Sequence, residues 1–321
     1  MRFVVYGAGA VGGVIGARLH LAGHDVVLVA RGRNLATIRD DGLRLESAEG
    51  GTTVRPPVGA SLADLDVGDG TCVLVTVKGQ DMVAVLPDLV AHLPAGATVA
   101  CVQNGVANER SALRSFHHVL GVCVMLPATH LEPGVVVARS APVPGVLDVG
   151  CYPDGVDGRA EVLASAFREA GFDSVVRPDI MAWKHRKLVS NLGNAVQAAY
   201  RPGEDRDRLS ALVRREGQQV LAAAGIPCVT REQDAQRRGD ILSPGAIGGR
   251  GGGSTWQSLA RGTGAVETDW LNGEIILLGR LHRLPTPANT LVRAAVLDLA
   301  HRRAEPSTLS AAEALAALDR T

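Results

Sequence analysis

The sequence has no excess charge of either sign: Lys+Arg and Asp+Glu both number 33 in 321 residues. That balance excludes a nucleic-acid or membrane-surface role driven by bulk charge. The five cysteines, Cys72, Cys101, Cys123, Cys151 and Cys228, are odd in number and form no C-x-x-C pair. A disulfide framework or cysteine-built zinc site is therefore not expected. Cys72, Cys101 and Cys123 lie in apolar strand-like runs, where cysteine acts as a small hydrophobe. His117-His118 and His130 lack the partner spacing of a metal site. No apolar run approaches the roughly 20 residues that span a bilayer. The first strand-like run begins at Arg2, with no leader-like stretch before it. A reduced, cytoplasmic protein of one or two domains, without metal, nucleic-acid or membrane partners, is the expectation.

Glycine, by contrast, is abundant, with 38 residues. Six of the first twelve positions form Gly7-Ala8-Gly9-Ala10-Val11-Gly12, a G-x-G-x-x-G. Ahead of it, Arg2 to Tyr6 reads as a buried parallel strand; behind it, Val14 to Ala22 reads as a helix. A glycine loop between strand and helix suits a pyrophosphate. Gly7 allows the tight turn, Gly9 lets phosphates approach the backbone, and Gly12 lets the helix pack on the strand. The helix N-terminus then faces the negative charge. All six residues are candidate cofactor contacts.

A second strand, Val26 to Ala30, should end in Asp or Glu if the ligand were NAD, since a carboxylate there accepts from the ribose 2′-hydroxyl. It ends instead in Arg31-Gly32-Arg33-Asn34. A guanidinium is a planar, permanently charged fork that matches a phosphate. The expected cofactor is NADP(H), with Arg31 on the 2′-phosphate and Arg33 or Asn34 as helpers.

Apolar strands then alternate with helices. Leu43–Leu45 and Thr52–Val54 form a small strand pair, and Cys72–Val77 is a strand ending at Lys78. Met82 to Leu93 is helical, Thr98–Val102 is a strand ending at Gln103-Asn104-Gly105, and Val119–Val124 is another. Val135–Val137 and Gly145–Val149 suggest a hairpin on the sheet edge. Such alternation predicts an α/β, Rossmann-type doubly wound sheet domain over residues 1–177. From Pro178 the chain reads as helices (about 180–200, 206–224, 254–261, 267–281, 288–302 and 311–318), giving an all-helical domain over 178–321. Between the second and third of these, the glycine-rich stretch Ser243–Gly253 reads as a flexible loop. Ligands of open α/β sheets bind at the carboxyl ends of strands, which singles out Lys78 and Asn104; equally, either residue could cap the turn that follows it.

With these motifs in order, the sequence resembles the ketopantoate reductases (2-dehydropantoate 2-reductases) over nearly its whole length. The resemblance rests on the glycine motif, Thr76-Val77-Lys78, Gln103-Asn104-Gly105-Val106, Lys187-Leu188-Val189-Ser190-Asn191 and Glu267-Thr268-Asp269-Trp270-Leu271-Asn272-Gly273. It implies NADPH-dependent reduction of a 2-keto acid, 2-dehydropantoate, to a 2-hydroxy acid by direct hydride transfer. By resemblance Lys187 is the catalytic lysine and proton donor, and Asn191 holds the substrate. Asn104 lies near nicotinamide and substrate, Lys78 near the nicotinamide ribose. Glu267 organises the polar network beside the cofactor, and Ser254 binds the substrate carboxylate.

On spacing alone Lys184, Lys187 and Asn191 share a helix face, so two lysines stay open; the Lys-Leu-x-x-Asn pattern favours Lys187. The family's further asparagine, eight residues after the lysine, is Ala195 here, with Asn194 one position earlier. Gln257-Ser258 stands where the family often has Gln-Asp. These departures fall on the substrate side and leave open a sister reductase acting on another keto acid or ketone, or a non-catalytic NADP-binding or sensing protein. A homodimer is the default for a soluble enzyme.

Overall fold

A computed structural model of the chain describes residues 1–68, 70–94, 96–130, 132–244, 252–262 and 264–320. The chain opens with β1 (Arg2–Tyr6), α1 (Ala10–Leu21), β2 (Val26–Val29), α2 (Gly32–Asp41), β3 (Leu43–Ser47), β4 (Gly50–Val54) and β5 (Val58–Gly59). There follow β6 (Thr71–Val75), α3 (Met82–His92), β7 (Thr98–Cys101), α4 (Asn108–Leu113), β8 (His118–Met125), β9 (Ala128–Thr129), β10 (Val135–Ala138), β11 (Ser140–Pro142), β12 (Val146–Cys151) and α5 (Gly158–Glu169). The remainder holds α6 (Ile180–Ala199), α7 (Glu204–Ala223), α8 (Arg231–Arg238), β13 (Leu242–Pro244), α9 (Ser254–Ala260), α10 (Thr268–Leu281), α11 (Pro287–His301) and α12 (Ala311–Leu318).

The main sheet has the order β12-β8-β7-β6-β1-β2-β5. All its pairs are parallel except β12 on β8. The inner strands are buried on both faces, which is why they are continuous apolar runs rather than alternating ones. Their pleat still sorts the side chains. Phe3 and Val5 join one core cluster, with α1 and α5 residues such as Ile15 and Phe167. Val4 and Tyr6 join the other, with Val85 and Leu89 of α3. The order outward from β1 runs β2, β5 on one side and β6, β7, β8 on the other. The crevice where it reverses is the binding position in doubly wound sheets.

The expected edge hairpin is not formed. β12 does extend the main sheet, antiparallel to β8. β10 instead pairs in parallel with β3, in a separate sheet of order β4-β3-β10-β9. The burial patterns explain the split: β12 is almost wholly buried, whereas β10 alternates. Val136 on the buried face of β10 packs so closely on α1 that a Cβ at Gly13 would stand 2.5 Å from its Cγ1. β3 and β4 do form the expected pair. Cys72, Cys101 and Cys123 are buried and reduced.

Contacts cluster into two compact units. One comprises residues 1–104, 108–184 and 231–249; the other comprises 105–107, 185–230 and 250–321. The helices expected beyond Pro178 are present, with ends shifted by a residue or two. α8 has no apolar periodicity, and ionic contacts hold it in the sheet unit. Its Arg237 donates to Asp148 Oδ1 at 2.6 Å and to Asp173 Oδ1 at 2.7 Å, and Asp148 is fully buried in β12. Within the helical unit, Asn272 and Asn289 are both fully buried. The Asn272 amide donates to Asn289 Oδ1 at 2.9 Å. Asn289 in turn donates to Glu216, whose carboxylate also accepts from the Ala288 and Asn289 N–H groups at the start of α11. Of the glycine-rich stretch Ser243–Gly253, residues 245–251 lie outside the described residues.

Candidate functional site

The glycine motif forms a tight turn between β1 and α1, at the crevice. Gly7 has φ +114°, a conformation that disfavours any side chain. A Cβ at Gly12 would stand 2.2 Å from the Gly7 carbonyl oxygen and 2.3 Å from Thr76 Oγ1. Gly12→Ala is therefore expected to abolish dinucleotide binding by forcing the turn open; loss of NADPH fluorescence enhancement on titration measures it. At Gly9 a Cβ would meet nothing within 4 Å. The backbone there is open on the side from which phosphates would approach. Ala10, Val11 and Gly12 present first-turn N–H groups, which have no partner within a helix. These residues fit a dinucleotide pyrophosphate. Ala8 lies beneath, buried in the core.

Two supports of this turn are not evident from spacing. The Thr76 hydroxyl donates toward the carbonyl oxygens of Gly7 at 2.8 Å and Tyr6 at 3.1 Å. Asn34, expected near the 2′-phosphate, instead braces the turn from α2. Its amide donates to the Ala8 carbonyl at 2.8 Å, and its oxygen accepts from Gly134 N–H at 2.8 Å. Both ends of that side chain are committed to backbone, so it is a strut. Arg31 and Arg33 remain exposed at the end of β2.

Lys78 and Asn104 follow the adjacent strands β6 and β7, and both are half-buried. The two strand ends are tied together by the Gln103 amide, which donates to the Val77 carbonyl at 2.8 Å. Lys78 also heads the 3₁₀ turn Gly79–Asp81. Gly105, with φ +82°, ends the Gln103-Asn104 segment in a backbone conformation suited to glycine.

Lys184 has a different place from the one its spacing left open. Its side chain is 3% exposed and its ammonium is 2.5 Å from the buried Glu109 carboxylate. The same nitrogen donates to the carbonyls of Gln103 at 3.0 Å, Val122 at 3.3 Å and Cys101 at 3.5 Å. It is a buried cation that ties the end of β7 to the middle of β8.

In the helical unit, Lys187 and Asn191 lie one turn apart on α6, both half-buried. Further along the helix, Asn194 and Gln197 meet the start of α9. Gly253 N–H donates to Gln197 Oε1 at 2.9 Å, and a Cβ at Gly253 would stand 3.4 Å from Asn194 Oδ1. Ser254 is the first residue of α9, so the fold brings Asn194 and Ser254 into one neighbourhood. Glu267 immediately precedes α10 and is 9% exposed. Ala195, where the family's further asparagine would fall, is buried at 2%.

The strand order, with a glycine turn at its reversal point and a helical unit after it, defines a dinucleotide-binding α/β class. Residues 3–154 match the family ketopantoate reductase PanE/ApbA, and residues 179–300 match its C-terminal region. The 2-dehydropantoate 2-reductase of Archaeoglobus fulgidus is 30% identical over 292 residues, covering 87% of this chain and 90% of that one. A solved PanE/ApbA family ketopantoate reductase from Ralstonia eutropha JMP134 superposes with TM-score 0.79 at 27% identity, covering 94% of this chain and 99% of its own. D-mandelate dehydrogenase, solved with NADH and anilino(oxo)acetate, shares the fold with TM-score 0.82 at 20% identity, covering 94% of this chain and 99% of its own. The chain belongs to the ketopantoate reductase family, and so to the oxidoreductases.

Proposed function

We propose that this chain reduces a 2-keto acid to the 2-hydroxy acid with NADPH, and that its substrate is 2-dehydropantoate. The observation that carries the reading is the division of labour between the two lysines of α6. Lys184 is buried against Glu109 and three carbonyls, while Lys187, half-buried and one turn from Asn191, carries the family's Lys-Leu-x-x-Asn pattern. A reduced nicotinamide, when bound, supplies the hydride to the carbonyl carbon. Lys187 stabilises the charge that develops on the carbonyl oxygen and delivers the proton to it, returning to the ammonium form from water. Asn191, Asn194 and Ser254 hold the substrate's hydroxyl and carboxylate, Asn104 lies near the nicotinamide and substrate, Lys78 near the nicotinamide ribose, and Glu267 organises the polar network. The sheet unit carries the cofactor role and the helical unit the substrate role; the main boundary falls within α6, after Lys184, rather than at Pro178.

The departures at Ala195 and Gln257-Ser258 favour one second reading, a sister reductase with a different keto acid. Ser258 is buried and its hydroxyl donates to the Ser254 carbonyl at 3.0 Å, so it replaces a family carboxylate with an internal contact. Steady-state kinetics with 2-dehydropantoate and other branched 2-keto acids separates the two. The proposed substrate should lead in kcat/KM by about tenfold or more, the scale of one or two methylene contacts. A higher value for another keto acid supports the sister reductase, and NADPH binding with no turnover of any supports a non-catalytic role.

Arg31 takes the 2′-phosphate in this reading. Arg31→Ala should raise the NADPH KM by about ten- to a hundredfold, the worth of charge-assisted hydrogen bonds, and leave the NADH KM nearly alone. No helix among the described residues is long and apolar enough to cross a membrane. A cytoplasmic homodimer fits a biosynthetic reductase, and light scattering tests the dimer.

A further inference from the structure

We propose that Tyr6 and Asp88 form a seat for the Arg31 guanidinium and thereby set how strongly the chain prefers a dinucleotide carrying a 2′-phosphate. The proposal rests on the NADPH reading above and adds two positioning residues to it.

The pleat places the three groups together. Tyr6 ends β1 in register with Val29 of β2. Along β2, Leu28 and Ala30 point into the core cluster on the α1 face, while Val29 points into the opposite cluster with Tyr6. Arg31 continues in extended backbone, φ −134° and ψ 158°. Two residues beyond Val29, it leaves on the Val29 and Tyr6 face.

On that face the Tyr6 ring is buried and its hydroxyl donates to Asp88 Oδ2 at 2.7 Å. Asp88, from α3, is itself fixed. The same oxygen accepts from Leu62 N–H at 3.1 Å, and Oδ1 lies 3.0 Å from His92 Nδ1. A phenolic oxygen that donates to a carboxylate keeps its lone pairs for a guanidinium N–H. Burial first, and the Asp88 carboxylate second, push the Tyr6 hydroxyl up to about 12, while a hydrogen bond and the charge of Arg31 act in the opposite direction. The register and the extended backbone place the Arg31 guanidinium beside the hydroxyl before any phosphate arrives, so less freedom is lost when the phosphate is gripped.

Titration calorimetry of the full-length chain with NADPH and with NADH tests the seat without turnover. Tyr6→Phe removes only the hydroxyl and should weaken NADPH about three- to tenfold, the ordering cost of one long side chain, with NADH changed by less than about twofold. Asp88→Asn should shift the NADPH-to-NADH affinity ratio in the same direction. On an Arg31→Ala background, Tyr6→Phe should cost NADPH nothing further. Undiminished NADPH affinity in Tyr6→Phe, alongside a loss in Arg31→Ala, overturns the seat and leaves the cofactor reading standing. Equal losses for NADPH and NADH in Tyr6→Phe would mark a packing defect and also overturn it. If Arg31→Ala leaves NADPH binding intact, the cofactor reading falls and the seat with it.

Discussion

Lys187→Ala should lower kcat for keto-acid reduction by about two orders of magnitude or more, with NADPH affinity nearly unchanged. Hydride addition converts a neutral carbonyl to an alkoxide, and the largest help a protein can give is a charged donor placed where that charge appears. Lys187 is half-buried on α6 with Asn191 one turn away. An ammonium there can both stabilise the oxygen and release a proton to it. Lys187→Arg should not restore turnover, because a guanidinium keeps its proton at any accessible pH. The decay of NADPH absorbance in steady state, together with NADPH titration of the same variants, gives both quantities. Turnover equal to that of the unmodified chain in Lys187→Ala would remove this residue from the chemistry. The choice is narrow, since only three of the 33 basic residues are lysines: Lys78, Lys184 and Lys187.

How far the sequence reached depended on what kind of interaction positions each group. The glycine turn was legible because backbone constraint demands residue type: no side chain fits at Gly7 or Gly12. The inner strands and the long helices were legible because burial imposes a period on them. The pairing of β10 was not, since a short Val-Val-Val run gives no sign of which strand it will join, and its partner β3 lies far back in the chain. Nor was α8 legible: Arg-Glu-Gln-Asp-Ala-Gln-Arg-Arg has no apolar face, and its hold on the sheet unit is the remote carboxylates of Asp148 and Asp173. The same limit separates the two candidate lysines. Helix spacing treats Lys184 and Lys187 alike, and only the Lys184 partners, 62 to 83 positions away in sequence, distinguish them. Asn34, expected with Arg33 as an alternative helper to Arg31, has partners, the Ala8 carbonyl and Gly134 N–H, that are set by the tertiary fold.

Lys184→Ala should destabilise the chain by about 3–5 kcal/mol, the cost of leaving one partner of a buried ion pair alone. Glu109 is 1% exposed, and among the described residues its oxygens take no well-angled hydrogen bond apart from the ion pair. Removing the ammonium would strand that carboxylate and take one donor from the carbonyls of Cys101, Gln103 and Val122. Compact, rotatable and carrying three donors, a lysine ammonium suits such converging oxygens better than a planar guanidinium. Lys184→Met with Glu109→Leu should recover part of the loss, because no charge is then buried unpaired, but not all of it, because the carbonyls lose the ammonium donor. Urea unfolding of the single and double variants measures the coupling. The Gln103 carbonyl precedes Asn104 directly, so loosening this knot should also raise KM for the keto acid in variants that still fold. If Lys184→Ala unfolds at the same urea concentration as the unmodified chain, this lysine is not the core cation its geometry describes. It would then return as a rival to Lys187 for the proton.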